Sequence, residues 1–269
     1  MKVTRFEGET TMSEHMKIER RDAVLALTLA RPERRNAITV AMYAALADAI
    51  EAAASDPGIR LITLQGEGED FTGGNDLADF LKDMPAPGSD TDIPVWRLLR
   101  ALANNEVPLV AAVRGNAVGV GTTMLLHCDI VVASSDAKLQ VPFVNLGLVP
   151  EAASSMLLPA LIGHQRAAAM VLLGEPLSAA DALSAGIVNR VVALDELDVA
   201  ARSIAATIAA KAPTAVRLAK QLLKRTPESV PERMAEEGRH FAAQLKSAEV
   251  KEAIGAFFEK RTPDFSRAA

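Results

Sequence analysis

One carboxylate lies in a stretch that is otherwise almost entirely apolar, NLGLVPEAASSMLLPALIG. This residue, Glu151, directly follows Pro150. A proline is favoured in the first turn of a helix, and a glutamate beside it suits the positive end of the helix dipole by about 0.3–1 kcal/mol. From this stretch alone, a structural role at a helix N-terminus is the better-supported interpretation. A catalytic role for Glu151 requires partners elsewhere in the chain.

Two glycine-containing loops could supply such partners, because each presents backbone amides where a strand meets a helix. In GEGEDFTGGNDLADF, Gly73 and Gly74 let a ligand approach the backbone, and the N–H of Asn75 would point outward at a helix N-terminus, where anions bind. In VRGNAVGVGTTMLLHCD, a helix is predicted to start near Val120. This second loop lacks the lysine of a P-loop and the third glycine of a dinucleotide fingerprint, so those two kinds of nucleotide site are not supported.

Together these groups indicate one class of reaction. Two N–H donors that converge on one oxygen form an oxyanion hole, which contributes roughly 3–4 kcal/mol per donor toward a developing negative charge. A single base beside such a hole can remove a proton α to a carbonyl, and the hole then stabilises the resulting enolate. The sequence therefore predicts proton abstraction next to a carbonyl group.

Composition excludes several other classes of function. The 269-residue chain is 49% hydrophobic and 23% charged, with a net charge of −5, which is typical of a globular protein with a full core. The absence of a long basic run argues against a nucleic-acid partner. The opening residues are charged and no apolar run reaches the roughly 20 residues of a membrane span. A single cysteine, Cys128, fits a reducing compartment, so we expect a cytoplasmic protein with no membrane partner.

Alternating strands and helices are predicted to position these groups. MKIERRDAVLALTLA reads as two strands joined near Arg21–Asp22, and IRLITLQG, PLVAAVRG and IVVASS read as further strands. PVWRLLRALANNE and GTTMLLHCD read as helices, as does TVAMYAALADAIEAAASD, for which Thr39 is the expected N-cap. The apolar stripe of that last helix comprises Ala41, Met42, Ala45, Leu46, Ala49, Ile50 and Ala53. This order of elements predicts an α/β core with crossover connections, followed after about Asp195 by helices alone.

Three motifs in order give the chain a resemblance to a known family. FTGGNDL, RGNAVGVGTTMLLHCDIVVAS and VPFVNLGLVPEAASSMLLPALIG resemble the crotonase (enoyl-CoA hydratase/isomerase) superfamily, and RPERRNAIT and FFEKRTPDF extend the similarity from about Met16 to the end. The resemblance implies an α/β fold, a crotonase-like spiral of ββα turns with a C-terminal α-helical oligomerisation region. The resemblance further implies a core over residues 16–195 and a helical trimerisation region over 196–269, while the charged opening residues predict a disordered leader over 1–15.

The same resemblance assigns roles to the residues already singled out. It implies that Asn75 and Val120 supply the two oxyanion-hole amides. Where the family's hydratases carry a pair of glutamates, this sequence has Thr123 and Phe143. Glu151 is similar to the sole acid/base of the Δ3,Δ2-enoyl-CoA isomerase branch, so the catalytic interpretation now outweighs the structural one.

The resemblance also implies a set of residues that bind an acyl-CoA thioester. They are Arg34, Arg35, Ala37, Thr72, Gly73, Gly74, Asp76, Leu77, Gly119, Phe143 and Lys260. For the three basic residues, solvated surface charge is an equally good interpretation. We expect no metal and no separate cofactor, since coenzyme A is part of the substrate.

The leading hypothesis is an enoyl-CoA isomerase that acts in fatty-acid metabolism as a homotrimer or a dimer of trimers. An enoyl-CoA hydratase or another crotonase-type acyl-CoA transformation is one alternative. A non-catalytic acyl-CoA-binding protein is an alternative of a different class.

Overall fold

The computed structural model describes residues 11–13, 15–80, 93–224 and 246–265, together with residues 234, 238, 239, 241 and 243. In this part of the chain, strands form two sheets. The larger sheet contains, in spatial order, Thr11–Ser13 (β1), Met16–Arg21 (β2), Val24–Leu29 (β3), Leu61–Gly66 (β4), Leu109–Val113 (β5), Ile130–Ser134 (β7) and Arg190–Val192 (β10). The smaller sheet contains Asn116–Val118 (β6), Lys138–Gln140 (β8) and Leu177–Ser178 (β9). The pairs from β3 to β10 in the larger sheet are parallel, as crossover connections require.

Helices connect these strands and cover the sheets. The described helices are Val40–Ser55 (α1), Leu77–Phe80 (α2), Pro94–Asn104 (α3), Val120–Thr123 (α4), Ser154–Ile162 (α5), His164–Ala168 (α6), Ala179–Ala185 (α7), Leu197–Ala209 (α8), Pro213–Lys224 (α9) and Ala248–Glu259 (α10). In chain order, β5, β6 and α4 are followed by β7, β8 and α5. Each such ββα turn adds one strand to each sheet, so the predicted α/β spiral is confirmed.

Helix α1 forms as its sequence predicts. The hydroxyl of Thr39 caps it by accepting a hydrogen bond from the N–H of Met42 at 3.2 Å. Most of the predicted apolar stripe is buried, although Ala41 is exposed, and Tyr43 and Ala47 are buried in addition. The helix packs against α3, and these two helices form one wall of the site described below.

Part of the segment predicted as a leader, residues 1–15, lies within the described residues. Residues 11–13 form β1, which pairs in antiparallel register with the start of β2. Residues 1–10 lie outside the described residues. One edge strand of the larger sheet therefore lies inside the segment that the composition predicts to be a leader.

Helix α8, the first helix after Asp195, packs on the larger sheet. Its buried Leu197 and Ala201 cluster with side chains of β5 and β7. One turn further on, Ala205 clusters with Leu61 and Val110 of the same sheet. The apolar stripe of α8 therefore completes the core, while the predicted domain boundary near residue 195 stays a prediction.

Candidate active site

Glu151 lies in a turn before α5. The predicted helix start at Pro150 is wrong, because Ala152 and Ala153 adopt left-handed backbone angles (φ 53° and 56°) and the helix begins at Ser154. The N–H and the hydroxyl of Ser154 donate to the carbonyl oxygen of Glu151 at 2.9 Å and 2.6 Å. Left-handed alanines cost roughly 1–2 kcal/mol each. Such strain persists where the surrounding structure fixes a functional residue.

The Glu151 side chain has one tethered oxygen and one free oxygen. The hydroxyl of Thr123 donates a hydrogen bond to Oε1. Oε2 is buried and has no hydrogen-bond partner among the described residues. Burial raises the pKa of Glu151 above its ordinary value, and the hydrogen bond from Thr123 opposes part of that rise. A carboxyl group with a raised pKa is suited to take up and release a proton near neutral pH.

Glu151 borders a cavity of about 220 Å³. Asn75, Val120 and Phe143 line the same cavity, so the structure brings together the three predicted catalytic residues and one predicted substrate-binding residue. The other described lining residues are apolar except for Tyr43, and comprise Ile93, Val95, Trp96, Leu148, Val149 and Pro150. A mostly apolar cavity with a few convergent polar groups is the usual form of a small-molecule site.

Two backbone amides at this cavity have no acceptor among the residues that the structure describes. Helix α4 starts at Val120 after Gly119 (φ 58°), and the next two N–H groups that bond back to Gly119 belong to Thr122 and Thr123. In the other loop, the N–H of Ile38 donates to Gly74 and the carbonyl of Ile38 accepts from Asp76, which leaves the N–H of Asn75 outside this ladder. Within the part of the chain that the structure describes, neither Asn75 N–H nor Val120 N–H has an acceptor. Both can therefore serve a ligand oxygen.

Close packing supports the two amide loops. A Cβ atom at Gly121 would lie 2.3 Å from Cγ2 of Thr72, so only glycine fits there. Thr72 is buried, donates its hydroxyl to the carbonyl of Asn36 at 2.7 Å and accepts from the N–H of Gly74 at 3.1 Å. Gly74 has a φ of 91°. In the structure, Thr72 therefore has a structural role, since its hydroxyl forms hydrogen bonds within the protein.

Tyr43 is a site residue that the sequence analysis missed. It is 2% exposed, lines the cavity and donates its hydroxyl to Oδ1 of Asn75. Burial and the negative charge of Glu151 raise the pKa of Tyr43 well above its ordinary value, so it stays a donor. In the sequence, Tyr43 is one apolar position among many in α1, and no local pattern connects it with Asn75.

A second, open cleft of about 720 Å³ adjoins the N-terminal ends of α1 and α2 and contains Arg34 and Asp76 among its lining residues. Asp76 is engaged within the protein, since Arg31 donates to its Oδ2 at 2.7 Å and the N–H groups of Ala78 and Asp79 donate to its Oδ1. The hydrogen bond from Arg31 is the largest of the effects that lower the pKa of Asp76. Arg31 also donates to the carbonyl oxygen of Ala37 at 3.1 Å. Asp76 and Ala37 therefore shape this cleft through Arg31, which the sequence analysis missed.

The remaining predicted binding residues lie outside both cavities. Arg35 is exposed, with its Nε 3.8 Å from Oδ2 of Asp70, and its carbonyl oxygen accepts from the N–H of Gly73 at 2.7 Å. Leu77 is half exposed at the start of α2. Lys260 is exposed just after α10. Their roles in substrate binding stay predictions.

The described ranges contain no group of three or more histidine, cysteine or acidic side chains that could bind a metal ion. They also contain no helix that is long and apolar enough to cross a membrane.

Comparison with known proteins defines the class to which this site belongs. Residues 19–268 match the family model described as enoyl-CoA hydratase/isomerase, so the chain belongs to that family and has the crotonase fold. A 2,3-dehydroadipyl-CoA hydratase of Escherichia coli K12 is 37% identical, covering 92% of this chain and 97% of the relative. A 1,2-epoxyphenylacetyl-CoA isomerase of the same organism is 35% identical, covering 90% and 95%. An enoyl-CoA hydratase/isomerase from Pseudoalteromonas atlantica T6c, whose crystal structure has been solved, is 45% identical in sequence to this chain. The two structures align with a TM-score of 0.75 over 94% of this chain and 100% of the other.

The resemblance inferred from the three motifs is thereby confirmed. An acyl-CoA thioester as substrate is consistent with the family. The named relatives include both a hydratase and an isomerase, so the choice between these reactions rests on the site itself.

Proposed function

We propose that this protein is a Δ3,Δ2-enoyl-CoA isomerase in which one glutamate shuttles a proton. The observation that carries the proposal is that, among the described residues, Glu151 is the one acidic side chain that lines the cavity, beside two backbone amides that have no acceptor there. Moving a double bond needs one group that first accepts a proton and then returns it. The free Oε2 of Glu151 is the oxygen available for that role.

The reaction would proceed in two proton transfers. The thioester oxygen accepts hydrogen bonds from the N–H groups of Asn75 and Val120, and Glu151 removes a proton from C2 of the 3-enoyl group. The electron pair of the broken C–H bond moves toward the thioester and forms a dienolate, whose negative oxygen the two amides stabilise by roughly 3–4 kcal/mol each. The protonated Glu151 then returns its proton to C4, which completes the 2-enoyl product. No atom is gained or lost.

The apolar wall supports this cycle. Trp96, Val149 and Phe143 line the cavity beside the carboxyl group, whose Oε2 is buried. A proton held by Glu151 in such surroundings is available to C4 and exchanges less readily with solvent. The same burial accounts for the raised pKa of Glu151.

An enoyl-CoA hydratase is the alternative that the names of several relatives favour. Adding water requires a group that orients the water and a group that exchanges its protons. In this structure, the positions that resemble the hydratase pair are Thr123, whose hydroxyl is engaged with Glu151, and Phe143, which has no ionisable group. These two residues favour isomerisation. A non-catalytic acyl-CoA-binding protein would have no need of a buried carboxyl group beside two free amides.

The test compares the parent with the Glu151→Gln variant on a 3-enoyl-CoA. The amide keeps the shape of the side chain but cannot accept the C2 proton, so isomerisation should be abolished while binding of the CoA ester persists. If the variant retains activity within a few-fold of the parent, Glu151 is not the base.

We also propose that the protein is a cytoplasmic homotrimer or dimer of trimers without a separate cofactor. Exposed apolar side chains on the C-terminal helices, including Leu223 of α9 and Ile254 and Phe258 of α10, support association between copies. Light scattering at micromolar concentration should give a trimer or hexamer mass, and a monomer mass would contradict the proposal.

A further inference from the structure

We infer that Thr123 is a positioning residue that fixes Glu151 at a set distance from the oxyanion hole. This inference rests on the proposed function of the site, and it assigns a role to a residue whose type makes it useless as a base. It concerns one contact, between the Thr123 hydroxyl and the Glu151 carboxyl group.

The contact is specific, and its donor is fully buried. Thr123 is 0% exposed, and its hydroxyl donates to Oε1 of Glu151 across 28 positions of sequence. Oε2 of the same carboxyl group has no partner in the described chain. One oxygen is therefore held in place, and the other remains available for the substrate.

The position of Thr123 in α4 links this contact to the oxyanion hole. Val120, which presents one of the two free amides, begins this helix, and Thr123 ends it three residues later. Three residues of helix span about 4.5 Å along the axis. A single rigid turn thus carries both an oxyanion-hole donor and the anchor of the base, so the spacing between them does not depend on a flexible loop.

The neighbouring threonine shows that the two buried hydroxyl groups have separate tasks. Thr122 is also 0% exposed, but its hydroxyl donates to the carbonyl of Ala117 at 2.6 Å and accepts from the N–H of Gln140 at 3.0 Å. These bonds attach α4 to the smaller sheet. Thr122 anchors the helix, whereas Thr123 anchors the carboxyl group.

A neutral hydroxyl is well suited to this task. It donates to the carboxylate form of Glu151 and so stabilises the form that can accept a proton, against the effect of burial. A second carboxylate at the same place would add a like charge and have the opposite effect. The hydroxyl therefore holds the base without competing for its proton.

The experiment compares three variants: Thr123→Val, which removes the hydroxyl at nearly constant shape; Thr123→Ser, which keeps it; and the matched control Thr122→Val. Thr123→Val should lower kcat at least about tenfold with KM nearly unchanged, the size expected for losing a hydrogen bond to a charged group. In Thr123→Val, the acidic limb of the profile of kcat against pH should move to higher pH. Thr123→Ser should restore the parental limb, and Thr122→Val should leave the limb in place although the protein loses stability. If Thr123→Val does not fold, Thr123→Ala against Thr123→Ser gives the same comparison.

A second readout does not depend on turnover. Infrared spectroscopy follows the C=O band of the protonated carboxyl group, assigned to Glu151 by its absence from the Glu151→Gln variant. In Thr123→Val, this band should persist to higher pH than in the parent. If the parent has no isomerase activity but the band shifts, the positioning role stands and the proposed reaction is wrong. If the band and the acid limb stay where they are in the parent, Thr123 does not position Glu151.

Discussion

We expect the buried carboxylate of Glu151 to lower the free energy of unfolding at neutral and alkaline pH. One oxygen of its carboxyl group is buried without a partner among the described residues, and a buried unsatisfied polar group costs about 1–3 kcal/mol, more when it is charged. The Glu151→Gln variant removes the charge but leaves a neutral amide with a similar shortage of partners. We therefore expect the variant to be more stable than the parent by about 1 kcal/mol, or about 2–3 °C in Tm for a chain of this size.

This loss of stability should depend on pH, and its direction follows from the raised pKa of Glu151. Because the pKa of Glu151 is raised in the folded protein, the folded state binds this proton more tightly than the unfolded chain does. Stability is then lost as the pH rises from about 4.5, the ordinary value for a glutamate, through the folded-state pKa, and stays lost above it. The advantage of Glu151→Gln should therefore be largest at alkaline pH and shrink toward pH 4.5.

Urea unfolding of parent and variant at pH 8.5 and pH 5 measures this directly. The control is Glu69→Gln, which makes the same change at an exposed glutamate and should alter stability by less than about 0.5 kcal/mol. The reasoning is refuted if Glu151→Gln is less stable than the parent at pH 8.5, or if its advantage is the same at both pH values.

Two other substitutions test the geometry around α4. Gly121→Ala places a Cβ atom 2.3 Å from Cγ2 of Thr72, so α4 and the amide of Val120 must shift. We expect kcat to fall about 10–100-fold. Adding Thr72→Ser, which removes Cγ2 but keeps the hydroxyl, should recover much of the lost kcat. An unchanged kcat in Gly121→Ala would show that the Val120 amide is not part of the site. Thr123→Glu places a second carboxyl group against Glu151, which should raise the pKa of the pair and lower isomerisation at pH 7 at least about tenfold without creating hydration. Substantial hydration of a 2-enoyl-CoA by Thr123→Glu would contradict the view that Phe143 also prevents that reaction.

Local patterns in the sequence predicted much of the frame. Strands β2 to β5 and β7, and the Thr39 cap of α1, follow from runs of apolar residues and from a single capping side chain. The approach of Asn75, Val120 and Glu151 to one cavity followed from the motifs that resemble the crotonase superfamily, since spacing along the chain alone does not bring loops together.

The contacts that organise the site could not be predicted. Tyr43 meets Asn75 and Thr123 meets Glu151 over separations of 32 and 28 residues, and neither pair leaves a local pattern. The turn after Glu151 was missed for another reason. Left-handed backbone is usual for glycine and asparagine, whereas here two alanines adopt it, so the proline before them wrongly indicated the start of a helix.

The central claim is that the protein moves a double bond and does not add water. The parent protein is incubated with a 3-enoyl-CoA and, separately, with a 2-enoyl-CoA such as crotonyl-CoA, and the products are identified by mass spectrometry with chromatographic separation of the isomers. We predict conversion of the 3-enoyl-CoA into the 2-enoyl-CoA, with no 3-hydroxyacyl-CoA accumulating from either substrate. Rapid hydration of crotonyl-CoA by the unmodified protein would contradict the account, because Glu151 alone would then activate water.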